Sequence, residues 1–194
     1  MIPKVSIIII ACNCEGYIQN TILSATQQTE PNVEIIFVDD GSTDDTLSIV
    51  KQMALMDRRI AVYAYPHSGK PSVARNHGIE RAKGEYICFL DGDDLYHKEK
   101  VKRQLSVLET NPEIPLAFHD MKYIDKDGKE LTGSYLEDGN FKERAHRYLQ
   151  KINHSTFICN ENFYHFMSVR YAAMHTSTVM IHRSLFDERN FSFP

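Results

Sequence analysis

Val5-Ser6-Ile7-Ile8-Ile9-Ile10-Ala11-Cys12-Asn13 is β-branched and almost unbroken until it turns polar. That pattern belongs to a strand buried on both faces of a parallel sheet, not to a half-exposed strand with alternating character. Two further runs end the same way. Glu34-Ile35-Ile36-Phe37-Val38 stops at Asp39-Asp40-Gly41, and Tyr86 to Leu90 stops at Asp91-Gly92-Asp93-Asp94. In open α/β sheets, ligands bind outside the carboxyl ends of the strands. The three polar ends are therefore expected to line one crevice.

The stretches between these runs give a βαβ rhythm. Gly16 to Gln27 carries Ile18, Ile22 and Leu23 on a plausible helical face, with Ala25 or Thr26 following. Ser42 followed by Asp45 resembles a capped helix start, after which Leu47, Val50, Met53 and Ala54 recur at helical spacing. Ile60 to Tyr63 reads as a third strand. The loop Pro66-His67-Ser68-Gly69-Lys70-Pro71 opens a helix near Ser72 that carries Arg75, Asn76 and His77 and stops at Lys83-Gly84. Lys98 to Glu109 follows the acidic loop as a helix with Val101, Leu105 and Leu108 inward. After Asn111-Pro112 the rhythm changes. Strands are expected at Leu116 to His119 and Met121 to Ile124, with a hairpin turn at Lys126 to Lys129. Then come a basic helix over Phe141 to Ile152, an aromatic stretch from Phe157 to Tyr171, and a last strand from Thr178 to Ile181. The predicted organisation is one domain of two halves, residues 1–112 and 113–194.

Composition bounds the function. The 194 residues are 42% hydrophobic and 25% charged, enough for one buried core, and the net charge of −4 leaves no electrostatic footprint for nucleic acid. Cys12, Cys14, Cys88 and Cys159 lack zinc-finger spacing, and they read as reduced thiols of a cytoplasmic protein, with Cys88 in a strand core. The longest apolar run is too short to span a bilayer, and there is no signal-peptide pattern. Peripheral association with the inner face of the membrane stays open.

Asp91, Asp93 and Asp94 fall within four residues. Carboxylates so close repel one another unless a cation neutralises them, and hard oxygen ligands on a glycine-hinged loop suit Mg²⁺ or Mn²⁺ together with substrate phosphates. An acidic, solvated turn is the bland alternative. The nine histidines show no metal-ligand spacing, so His67, His77, His119 and His175 read as polar or supporting residues. Tyr164, Phe166 and Tyr171 could stack on a sugar, although aromatics in a small subdomain usually form core. The charge run from Lys142 to Lys151 reads as a solvated helix face.

Four ordered motifs carry a resemblance. Val5 to Asn13, Val38-Asp39-Asp40-Gly41-Ser42-Thr43-Asp44, Ala74-Arg75-Asn76-His77-Gly78-Ile79, and Gly84-Glu85-Tyr86-Ile87 with Asp91-Gly92-Asp93-Asp94 resemble the successive motifs of the family 2 inverting glycosyltransferases. The likeness is close from Val5 to Glu109 and thins after Pro112, though His175 to Arg183 also looks like the strand before an acceptor site. It implies a GT-A fold, α/β with a mostly parallel central sheet flanked by helices. It further implies a metal-dependent hexosyl- or N-acetylhexosaminyltransferase of polysaccharide biosynthesis. The donor would be a UDP-sugar and the acceptor a saccharide or lipid-linked saccharide.

By the same resemblance, Asp40 hydrogen-bonds the uracil, Asp93 ligates Mn²⁺ or Mg²⁺ in a D-x-D motif, and Asp91 with Gly92 lies near the ribose and donor sugar. Ala11, Asn13 and Glu15 line the nucleotide, and Arg75 and Asn76 lie near its pocket or brace the acidic loop. Ile10-Ala11-Cys12 replaces the more usual Pro-Thr-Tyr, which alters the wall of the base pocket. The family's catalytic base is an acidic residue in a later motif, expected beyond Pro194. Asp187 and Glu188, the only late acidic pair, are the candidates for that base within the sequence, and they are expected rather as surface residues of the final segment. A non-catalytic or truncated nucleotide-sugar-binding domain is the main alternative. A nucleotidyltransferase is the lesser one, since no Gly-rich basic loop follows the first strand. A dehydrogenase would need a G-x-G-x-x-G that is missing here.

Overall fold

The computed structural model describes residues 2–125, 128–153, 156–160, 162–163, 174–189 and 192–194, with the side chains of 187–189 outside the description. Its strands are β1 (Val5–Ala11), β2 (Val33–Asp40), β3 (Ile60–Tyr65), β4 (Tyr86–Asp91), β5 (Leu116–Ala117), β6 (Leu149–Lys151), β7 (Phe157–Cys159) and β8 (Met180–His182). Six of them form one sheet in the order β3-β2-β1-β4-β8-β5. β1, the most apolar run, takes a central place and is buried along its whole length. It pairs in parallel with β2 on one side, Ile9 opposite Phe37, and with β4 on the other, Ile9 opposite Leu90. β8 and β5 extend the sheet antiparallel to their neighbours.

The register brings the polar ends together. Ala11 pairs with Asp39 across β1 and β2, and Ile10 with Asp91 across β1 and β4. One edge of the sheet therefore carries the crevice that the parallel pattern predicts.

Helices α1 (Ile18–Thr26), α2 (Thr46–Met56), α3 (Pro71–Arg81) and α4 (Lys100–Thr110) connect and cover the strands. α1 buries Ile18, Thr21, Ile22 and Ala25. Leu23, expected inward, is instead 36% exposed, because one residue past Ile22 is a 100° rotation off the buried stripe. α4 buries Val101, Leu105 and Leu108 as expected, and Lys100 and Gln104 with them. α3 starts at Pro71, whose missing N–H costs nothing in the first turn. Its Gly78 lets the helix lie directly on β1, since a Cβ there would sit 2.3 Å from Ile8 Cγ2.

The chain divides into two compact units, Met1–Phe118 with Thr176–Pro194, and His119–His175. The first holds the six-stranded sheet, a 3₁₀ turn at Thr176–Thr178 and α7 (Ser184–Arg189); α5 (Tyr135–Asp138), α6 (Phe141–Ala145) and the β6–β7 hairpin belong to the second. Several sequence expectations fail in the second unit. Met121 to Ile124 is not a strand, and among the described residues its pairing is a single bridge between Ile124 and Glu130. The basic helix ends at Ala145, and after a 3₁₀ turn the chain enters β6, which pairs with β7. Charge spacing had suggested one long helix, but Leu149–Lys151 finds strand partners, and tertiary pairing overrides a weak helical preference. Tyr164, Phe166 and Tyr171 lie outside the described residues.

Candidate functional site

The loop after β1 and the loop after β2 are laced together by their own polar side chains. Asn13 adopts a left-handed φ of 55°, which asparagine tolerates better than most residues. Its Oδ1 accepts the Thr43 N–H at 2.8 Å, and its own N–H donates to Ser42 Oγ at 3.0 Å. Glu15 Oε2 accepts the Asp45 N–H at 3.0 Å, while the Glu15 N–H donates to Asp44 Oδ2 at 3.1 Å. Cys14 N–H closes the lacing on Thr46 Oγ1 at 2.7 Å. The Ser42–Asp45 cap expected at α2 does not form. Asp44 Oδ1 accepts the Thr46 N–H instead, because Ser42 Oγ is engaged by Asn13.

Asp40 is buried, with relative exposure of 8%. Its Oδ1 accepts the Ser68 N–H at 2.8 Å and its Oδ2 the Gly69 N–H at 3.1 Å. His67 Nδ1 lies 2.9 Å from the Asp40 carbonyl oxygen and 3.3 Å from Oδ2. Burial pushes the Asp40 carboxyl up, but the hydrogen bonds from Ser68 and Gly69 and the nearby His67 outweigh it, holding the group below the usual carboxylate range. Neighbouring Asp39 is 1% exposed. Its Oδ2 accepts the Ser42 N–H at 3.0 Å, whereas its Oδ1 is buried without a hydrogen-bond partner among the described residues.

The acidic loop is held from three sides. Arg75 Nη2 donates to Asp91 Oδ1 at 2.7 Å and to Thr176 Oγ1 at 3.0 Å. The Asp91 N–H donates to Ser177 Oγ at 3.1 Å, and the Gly92 carbonyl accepts Thr21 Oγ1–H at 2.9 Å. Gly92 is buried against β1, where a Cβ would stand 2.7 Å from Ala11 Cβ. Asp93 projects outward, exposed, with no hydrogen bond or ion pair to a described residue. Behind the loop, buried Tyr96 donates its hydroxyl to the Phe89 carbonyl, and the Lys100 ammonium lies 4.0 Å from the Tyr96 ring centroid.

Ala11, Asp40, Arg75, Asp91, Gly92 and Asp93 therefore share one cavity of about 320 Å³, with Ile10, Cys12, Cys14, His67, Gly69, Pro71 and Ala74 completing its wall. Asn13, Glu15 and Asn76 are not in that lining. The first two hold one loop on the other, and Asn76 binds the main chain at Phe193. Asp187 and Glu188 fall on α7, and their side chains lie outside the described residues. Burial, followed by the nearby Asp40, Asp39 and Asp44 carboxylates, pushes the Cys12 thiol up, so it is not primed as a nucleophile. The bonds that Thr21, Ser68, Gly69, Thr176 and Ser177 make to the site are not read from the sequence, although the loop of Ser68 and Gly69 and the motif of Thr176 and Ser177 are. A hydroxyl beside an apolar helical stripe was the visible signal for Thr21, but nothing local announced its partner.

No set of three His, Cys, Asp or Glu side chains among the described residues could hold a metal ion. The exposed Asp93 carboxylate at the cavity still fits a hard cation that keeps waters and takes phosphate oxygens, because such an ion needs only one or two protein carboxylates. An open depression of about 590 Å³ in the second unit, around Asp120 and Ser134, has no such character. The Asp120 carboxylate there is already engaged by the Met121 and Leu136 N–H groups and by Ser134 Oγ.

Comparison with known proteins gives the same picture. UDP-Glc:alpha-D-GlcNAc-diphosphoundecaprenol beta-1,3-glucosyltransferase WfaP of Escherichia coli is 42% identical over 123 residues, which is 63% of this chain and 47% of that protein. The chain spans about half or less of the length of the curated relatives it matches. Among solved structures, S. aureus TarS 1-349 in complex with UDP matches 98% of this chain and 50% of its own, with a TM-score of 0.70 and 23% identity. The mannosyltransferase PcManGT from Pyrobaculum calidifontis, in complex with GDP-Man and Mn²⁺, covers 99% of this chain and 48% of its own, with a TM-score of 0.71 and 18% identity. These likenesses establish the GT-A fold. The family model described as Glycosyl transferase family 2 matches residues 6–174, a span that takes in the polar strand ends from Ala11 to Asp94, and the chain belongs to that family.

Proposed function

We propose that this chain is the donor-binding part of a metal-dependent, inverting glycosyltransferase that uses a UDP-sugar. The observation that carries the reading is the meeting of Asp40, the Arg75–Asp91 pair and the outward Asp93 around one cavity at the carboxyl ends of β1, β2 and β4. UDP-Glc in the name of the WfaP relative and UDP in the TarS complex support the choice of nucleotide. The diphosphoundecaprenol in the WfaP name supports a lipid-linked saccharide as acceptor.

Each residue then has work of its own. A carboxylate oxygen has two acceptor sites, so the Asp40 oxygens that take the Ser68 and Gly69 N–H groups retain capacity for a base N–H. Asp93 would hold Mn²⁺ or Mg²⁺, with Asp91 beside it toward the ribose and donor sugar. When bound, such a cation stabilises the negative charge that grows on the diphosphate. Arg75 fixes Asp91 through Nη2, and its Nε is buried with no partner among the described residues. In the transfer itself, the acceptor hydroxyl oxygen bonds to C1 from the face opposite the diphosphate. The C1–O bond breaks, its electron pair stays with UDP, and the hydroxyl proton passes to a carboxylate. No described side chain is assigned that last role.

Calorimetry of UDP and GDP, each with and without Mn²⁺, tests the reading. Tighter UDP binding with the metal, and weak GDP binding under both conditions, is the expected result. Equal affinities under all four conditions would overturn it. Adding UDP-sugars and following hydrolysis and transfer by mass spectrometry separates a transferase from a domain that only binds the donor.

A further inference from the structure

Asn76 sits in the middle of α3, one residue from Arg75, and its amide is engaged at both its nitrogen and its oxygen. Nδ2 donates to the Phe193 carbonyl at 3.0 Å, and Oδ1 accepts the Phe193 N–H at 2.9 Å. A primary amide that pairs with both main-chain groups of one residue fixes that residue in position and orientation, as a neighbouring strand would. The ring thus held meets Phe89 edge to face at 5.3 Å between centroids, and the Arg75 guanidinium lies 5.7 Å from the ring centroid.

Phe89 belongs to β4, two residues before Asp91, and Arg75 is the residue that holds the Asp91 carboxylate. Arg75 has many rotamers to lose, and its Nε has no partner among the described residues to help choose among them. The Phe193 ring supplies the missing boundary. With the ring seated, Nη2 reaches both Asp91 and Thr176; among the described residues the ring is the aromatic face that bounds the guanidinium.

We infer that Asn76 is a positioning residue: by clasping Phe193 it seats the ring that holds Arg75 on Asp91, so the metal–diphosphate end of the site depends on the chain some 117 residues downstream of Asn76 being docked. The inference deepens the donor-site reading and rests on it for its functional consequence. A simple staple for the downstream chain would place no demand on the carboxylate.

Two measurements on this chain and its Asn76→Ala and Asn76→Asp variants decide it. The first needs no ligand: nitrogen-detected NMR of the Arg75 Nε–H. It should exchange slowly with solvent in the native protein and at least tenfold faster in both variants, because the aspartate keeps one acceptor but turns a charge toward the Phe193 carbonyl. The second is the ratio of UDP dissociation constants without and with Mn²⁺. Outer residues that orient metal-binding groups typically contribute about 10–100-fold in metal affinity. The ratio should fall about tenfold or more in the variants, while the metal-free constant stays within about twofold. Unchanged Arg75 exchange, or metal-free and metal-bound affinities that fall together, would refute the inference. If native protein shows no metal effect on UDP, the donor-site reading fails, and the NMR comparison still decides whether Asn76 holds Arg75.

Discussion

Thr21, buried on α1, donates its hydroxyl to the carbonyl oxygen of Gly92 at 2.9 Å, across 71 residues of sequence. A hydroxyl placed among Ile18, Ile22 and Ala25 thus satisfies a buried acceptor at the tip of the acidic loop. Thr21→Val keeps the shape and leaves that acceptor unpaired, which costs about 1–3 kcal/mol. Urea denaturation should show the loss, and UDP binding should lose part of its Mn²⁺ dependence. A variant as stable as the native chain would mean that the loop carbonyl finds water.

Asp93 is exposed and bonded to nothing described, so its removal should not disturb the fold. Asp93→Ala is expected to melt within about 0.5 kcal/mol of the native protein, as surface substitutions do. Its metal-free affinity for UDP should be unchanged while the gain on adding Mn²⁺ disappears. A retained gain would move the metal assignment away from this residue.

For Asp40, two roles meet in one carboxylate. Asp40→Ala frees the Ser68 and Gly69 N–H groups, both on exposed residues that regain water, so the stability cost should be about 1–2 kcal/mol. Loss of the charged acceptor should weaken UDP by roughly one to two decades. The pH dependence has a definite sign. The folded-state carboxyl is held below its usual value, so its stabilisation is complete above the ordinary carboxylate value of about 3.9 and is lost as pH falls through the lowered one. Urea midpoints of native and Asp40→Ala protein should differ at neutral pH and converge as pH falls below the ordinary carboxylate value. A gap that stays constant over that range would count against the hydrogen bonds as its source.

At Gly78 the sequence and the packing pull in opposite directions. Alanine would add about 1 kcal/mol of helix propensity, yet its Cβ would lie 2.3 Å from Ile8 Cγ2, and overpacking costs about 1–3 kcal/mol. A net loss is expected for Gly78→Ala in chemical denaturation. Combined with Ile8→Ala, which removes the clashing atom, the loss should be less than the sum of the two single variants. Strict additivity would show that the helix simply shifts.

The first 110 residues were readable because each signal there is local. Strands buried on both faces declare themselves as unbroken β-branched runs, and the carboxyl-end rule then gathers Asp40, Asp91 and Asp93 without any knowledge of side-chain contacts. What stayed hidden depends on pairing between distant segments. Ser42 looked like a cap by spacing, but Asn13 claims its hydroxyl. Asn76 reads by motif as a residue near the nucleotide pocket or a brace for the acidic loop, and nothing local announces that its amide holds Phe193. In residues 119–175 short elements dominate, and Leu149–Lys151 is a strand only because Phe157–Cys159 lies beside it.

The placement of β8 between β4 and β5 also sets an order of assembly. β1, β2, β3 and β4 are joined by short βαβ steps, and during synthesis their contacts can form as soon as residue 91 is available. Asp91, however, takes its Thr176 and Ser177 partners from a segment made some 85 residues later. Loop-closure entropy is spent before such distant contacts repay it. The parallel half is therefore expected to collapse first, with the Asp91 N–H and carboxylate short of their Ser177 and Thr176 partners until the return strand docks. Pulsed hydrogen exchange during refolding should protect the β1 and β2 amides ahead of those at Asp91 and Met180; simultaneous protection would mean that the sheet closes in a single step.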